Sequence, residues 1–119
     1  MSLAMSDQEF DGALRPIIER FEKFYLGRSS HEIEIARCSD LIVIRCKGVL
    51  TDAESRLLHA DPTTEGREMI VQMYRKMVRQ AQESLTGAVE STLKVSVRSL
   101  FCDLDPTNGD SLLAMAYDA

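Results

Sequence analysis

The sequence predicts an α+β domain: a four-stranded antiparallel sheet, built from two β-hairpins and packed against two main helices, in the order α-β-β-α-α-β-β. Three observations predict it. Apolar residues recur at steps of three and four in the first and middle parts of the chain, "HEIEIARCSDLIVIRCKG" alternates around a central Ser-Asp, and two apolar runs flank "DPTNG" near the end. A chain of 119 residues fits one domain that buries roughly two-thirds of its unfolded surface. Residues 7–119 are therefore expected as a single domain and residues 1–6 as a flexible terminus, because "MSLAM" lacks the charged and apolar regions of a signal peptide.

From Asp7 to Leu26 the apolar stripe is Phe10, Leu14, Ile17, Phe21 and Phe24, broadened by Ala13, Ile18 and Tyr25. Pro16 lies inside it and should kink the helix or delay its start to about Leu14, since proline lacks the donor and crowds the preceding turn. Gly27 supplies the left-handed residue that closes many helices.

A two-residue loop at Ser39–Asp40 sets the first hairpin's register. It places Ile35 opposite Ile44 and Ile33 opposite Cys46 on one face, with Glu34 opposite Arg45 and Glu32 opposite Lys47 on the other. A one-residue slip would destroy both patterns at once. The apolar face is expected under the first and long helices.

"TDAE" at Thr51–Glu54 has capping-box spacing and predicts a short helix to about His59. Asp61 and Pro62 fit the N-cap and first position of a longer helix. Its stripe is Ile70, Met73, Tyr74, Met77, Val78, Ala81 and Leu85, and it is expected to continue through Gly87 to about Ser91. Strands are predicted over Val95–Leu104 and Ser111–Asp118. Both faces of this second hairpin are rich in apolar residues, so one face is left for a second copy of the chain. Leu100, Cys102, Leu104, Leu113, Met115 and Tyr117 are the candidate self-association face.

Composition excludes several function classes. A net charge of -5 opposes nucleic-acid binding and acidic membranes, which require a basic field. No run of about 18 apolar residues is present, so direct membrane insertion is not expected. Cys38, Cys46 and Cys102 are widely spaced and read as reduced core thiols of a cytoplasmic protein. With His31 and His59 they form no metal-ligand spacing, and no metal or cofactor is expected. Glu32 and Glu34 read as an ion-pair face rather than an acid/base pair. Met69, Met73 and Met77 read as core packing, and the Arg75, Lys76 and Arg79 cluster is interrupted by acidic and neutral residues.

"LGRSS" at 26–30 lacks the spacing of a phosphate loop. Arg28 is the candidate anion ligand, with Lys47 and Arg67 as helpers should folding bring them near. No nucleophile and base combine into a catalytic constellation. The residues alone thus point to a non-catalytic interaction module, with a small-anion or metabolite binder and an enzyme of unrecognised type as alternatives.

"FEKFYLGR", "LIVIRCKGVLTDAE", "TEGRE" and "DLDPTNGD" resemble, in this order and over about Phe10–Asp118, the MpsC-like family of small bacterial proteins. The family-like positions are Tyr25, Gly27, Arg28, Lys47, Gly48, Leu50, Thr51, Glu54, Glu65, Gly66, Arg67, Asp103 and Gly109. Ser29 and Ser30 depart from the glycine-proline usual there, and "LLHADPTTEGR" is longer than the family's connection. The resemblance implies a soluble accessory or regulatory part in sodium or bicarbonate translocation and membrane-potential generation, alongside a membrane-transport or bioenergetic partner protein; the homodimer and the cytoplasmic location are expected from the apolar second hairpin and the cysteines. It brings no catalytic residue.

Overall fold

The computed structural model describes residues 4–60 and 63–118. Helix α1 (Asp7–Phe21) runs into a π-helical turn (Glu22–Leu26); strands β1 (Glu32–Cys38) and β2 (Leu41–Lys47) follow, then helices α2 (Asp52–Ala60), α3 (Thr64–Gln80) and α4 (Gln82–Leu93), and strands β3 (Ser96–Asp105) and β4 (Asp110–Asp118). The sheet is antiparallel with strand order β1-β2-β4-β3. Helices α1, α3 and α4 pack on one face of it; α+β class and element order are those the sequence predicts.

Ser6 opens α1 with a capping box closed by Glu9. The helix does not wait for Leu14: Pro16 is accommodated within it. Pro16 and Gly12, the residue whose carbonyl loses its partner, are both exposed, so the vacated carbonyl opens to solvent and is not stranded in the core. At its end the helix widens. After Phe21 the next apolar core residue is Leu26, a five-residue step that matches one π-helical turn. This shift turns Phe24 and Tyr25 outward, 69% and 51% exposed, where the sequence stripe had them in the core. Gly27, at φ 64°, closes the turn.

The first hairpin has the expected register at every pair, with Ser39–Asp40 as its loop. Ile33, Ile44 and Cys46 are buried. On the other face Glu34 pairs with Arg45 at 2.7 Å and diagonally with Lys47 at 2.7 Å. Cys38, read as a core thiol, is exposed beside the loop.

Asp61 and Pro62, expected to start the long helix, lie outside the described residues. The helix itself is divided at Ala81 (φ -103°, ψ 8°) and not at Gly87, which sits inside α4. Its buried residues show why a bend is useful. Gly66, Ile70, Tyr74 and Val78 follow at four-residue steps, and so do Ala81, Leu85, Val89 and Leu93. Steps of four drift around an α-helix, and the bend between Val78 and Ala81 returns the second series to the core. Met69 and Met73 fall on the exposed side, so their expected core role is not met; Met77 is partly buried.

In the second hairpin, a bulge between Val97 and Ser99 changes the alternation of β3. Val97 comes to lie opposite Tyr117 and Leu100 opposite Met115, so both face the helices despite their odd spacing. Leu104, Leu113, Met115 and Tyr117 are buried inside the chain, and Leu100 and Cys102 pack partly against the same core. The six residues expected to meet a second copy therefore form the helix-covered face. The opposite, outer face carries Phe101 and Leu112, 63% and 45% exposed, with Ala114 and Val43 in the strands beside them.

Candidate functional site

Three chain segments meet where the sequence offered its anion site. Gly27 ends the π-helical turn and hands the chain to Arg28; Gly48 (φ 68°) ends β2; Gly109 (φ 75°) ends the turn between β3 and β4. The Val49 amide donates to the Gly109 carbonyl at 2.9 Å, and the Leu50 side chain lies against Gly109. Gly48 has no room for a side chain, since a Cβ would come within 2.6 Å of the His31 ring.

Arg28 points into this corner and is buried. Its Nη1 donates to Glu54 Oε1 at 2.8 Å and to the Val49 carbonyl at 3.1 Å, Nη2 donates to Glu54 Oε2 at 3.1 Å, and Nε donates to the Leu26 carbonyl at 3.3 Å. The guanidinium also lies 5.6 Å from the centre of the Tyr74 ring. Glu54 is equally committed: its Oε1 accepts from the Thr51 amide at 2.9 Å while Thr51 Oγ1 accepts from the Glu54 amide at 3.2 Å. The anticipated capping box is present, and its carboxylate is the anion that Arg28 binds. A fork-to-fork pair of this kind satisfies both charges internally.

Lys47 and Arg67 do not join this pair. Lys47 Nζ lies 2.7 Å from Glu34 and 3.9 Å from Glu32 on the outer sheet face. Arg67 donates to the Thr107 hydroxyl. Of the other family-like positions, Gly66 is buried in α3, Glu65 and Tyr25 are exposed, and Asp103 pairs with Arg75 at 3.0 Å. Gly27, Arg28, Gly48, Leu50, Thr51, Glu54 and Gly109 are drawn together by the contacts above.

A second buried polar group was not singled out by sequence reasoning. Glu22, in the first position of the π-helical turn, is buried and accepts from Ser30 Oγ at 2.8 Å and the Ser30 amide at 3.4 Å. Burial raises its pKa against the opposing effect of these donors. Burial, reinforced by the neighbouring Glu22 charge, pushes the Cys46 thiol up to about 12, which leaves it protonated and unreactive at neutral pH. Tyr74 donates to Ser111 Oγ at 2.9 Å. The signal was local: Glu22 lies four residues after Ile18 and eight after Leu14, both buried, and its amide still bonds the Ile18 carbonyl, so the ordinary helical stripe carries it inward.

Both histidines are exposed, His31 against Gly48 and His59 on α2. Among the described residues no three His, Cys, Asp or Glu side chains gather as metal ligands would. No helix among them is long and apolar enough to cross a membrane.

A family model, Na+-translocating membrane potential-generating system (MpsC), matches residues 6–119. The chain belongs to the MpsC family. A curated relative, uncharacterized protein YbcI of Bacillus subtilis, is 29% identical over 96 residues, 81% of this chain and 75% of the relative. No solved structure matches. In this MpsC-family chain the match runs through every strand and helix of the described residues. The Arg28–Glu54 corner thus lies within the family domain.

Proposed function

We propose that this MpsC-family chain is a non-catalytic, cytoplasmic accessory module of a Na+-translocating, membrane-potential-generating system, working as a homodimer closed over the outer face of its sheet. The observation that supports this reading is that face. Phe101 projects from edge strand β3 beside Ala114, its Cα partner on β4, which in turn faces Val43 and then Ala36 on the remaining strands. A large ring stands next to a band of small side chains on one surface. Two-fold association sets the same patch of one copy against that of the other, and a ring beside smaller side chains lets such a patch complement itself.

The energetic argument has the same sign. Burying a phenylalanine or leucine side chain is worth about 1.5–3 kcal/mol, and Phe101 and Leu112 forgo much of it in a single chain. Around them, Glu34 with Arg45 and Lys47 forms a polar border at one side, an apolar centre with a charged rim as in protein interfaces. The accessory role is drawn from the family description, and the partner would be a transport or bioenergetic protein of that system. Arg28 and Glu54 hold the corner rigid in this reading.

A strain lacking the protein tests the role. Its Na+-dependent membrane potential should fall and return with the wild-type chain but not with Phe101→Glu. A potential unchanged by the deletion would contradict the assignment.

A further inference from the structure

The π-helical turn does more than end α1. By stepping from Phe21 to Leu26 it pushes Phe24 and Tyr25 outward and opens a groove between this segment and α4, with a volume of about 270 Å³. Ile17 and Leu85 form its apolar floor, Phe24 and Tyr25 stand at its wall, and Arg20 and Ser84 supply polar atoms. A π-helical turn is rare and recurs at functional sites, and here it exposes two aromatic rings that the apolar stripe of an ordinary helix would have turned inward.

Charge then selects the occupant. Arg20 is exposed, and among the described residues it has neither an ion-pair nor a hydrogen-bond partner. Lys23 lies with its Nζ 5.6 Å over the Phe24 ring, adding a second cation at the same wall. This differs from Arg28, whose fork is filled by Glu54. An apolar floor beside an unspent guanidinium matches a molecule with an apolar tail and an anionic head. One planar fork suits one carboxylate. The volume falls just below the range of about 300–1,000 Å³ typical of drug-sized pockets, so the ligand is small.

We infer that the groove between the π-helical turn and α4 binds a small amphipathic monocarboxylate, its alkyl or aryl tail between Phe24 and Leu85 and its carboxylate on Arg20. The site is separate from the sheet face of the proposed dimer and does not depend on it.

The test is a titration of the full-length, 15N-labelled chain with sodium octanoate, followed by amide NMR, with 1-octanol as the uncharged control. Octanoate should shift amides of Ile17–Tyr25 and Ser84–Ala88 saturably and bind about tenfold more tightly than octanol. Arg20→Gln, an exposed substitution, should abolish that difference, and Phe24→Ala should weaken both ligands. The inference is overturned if octanoate produces no saturable shifts, if they map to the outer sheet face, or if octanol binds equally and Arg20→Gln changes nothing.

Discussion

The Glu54 carboxylate joins two distant parts of the chain: one oxygen lies 2.9 Å from the Thr51 amide that opens α2 and 2.8 Å from Arg28 Nη1, across a separation of 26 residues. Helix capping and charge neutralisation are thereby a single event. Arg28 cannot reach its position without α2 being in register, and α2 cannot lose its cap without leaving a buried cation.

Removing one member of this pair should be costly. Arg28→Met leaves a buried carboxylate and Glu54→Gln a buried guanidinium, and each should destabilise the chain by about 3–5 kcal/mol in urea unfolding. The double variant should recover a large part of that loss, because no unpaired charge remains. Glu54→Gln retains an acceptor for the Thr51 amide, so the cycle isolates the charge pair from the cap. Additive single costs would disprove the coupling.

Glu22 gives the fold a pH dependence of defined sign. Its folded-state pKa is raised above the ordinary 4.5, so between those two values the folded chain holds more proton than the unfolded one. Its contribution is greatest below the ordinary value and is lost as pH rises through the raised one. Glu22→Gln still accepts from Ser30 and removes this titration. Thermal unfolding from pH 4.5 upward should therefore show the variant gaining on wild type as pH increases; parallel curves would refute the assignment.

Two glycines should respond in opposite directions. Gly48 combines φ 68° with the His31 ring beside its Cα, and Gly48→Ala should cost about 1–2 kcal/mol from backbone strain alone. Gly87 lies within α4, where an added Cβ would meet nothing within 4 Å, so Gly87→Ala should add about 1 kcal/mol. Chemical unfolding of the two variants checks both signs.

Much of the fold was legible because two patterns were overdetermined. In the first hairpin, Ile33, Ile35, Ile44 and Cys46 on one side and Glu34, Arg45 and Lys47 on the other admitted one register. Thr51 and Glu54 revealed their cap by spacing alone. What escaped were irregularities that insert or remove a fraction of a turn. The π-helical step reversed Phe24 and Tyr25, the four-residue spacing of the buried series Gly66, Ile70, Tyr74 and Val78 left Met69 and Met73 outside, and the bulge in β3 drew Val97 inward. Each leaves the local apolar count unchanged, so periodicity cannot detect it. At the candidate site, Arg28 and Glu54 were each conspicuous, but their pairing is set by tertiary geometry across three loops.

Sedimentation of the purified full-length chain at micromolar concentration, beside Phe101→Glu, tests the interaction-module account most directly. Wild type should sediment with the mass of two chains and the variant with the mass of one, both retaining the same helical and strand spectrum. A wild-type protein that sediments as a single chain would contradict the account.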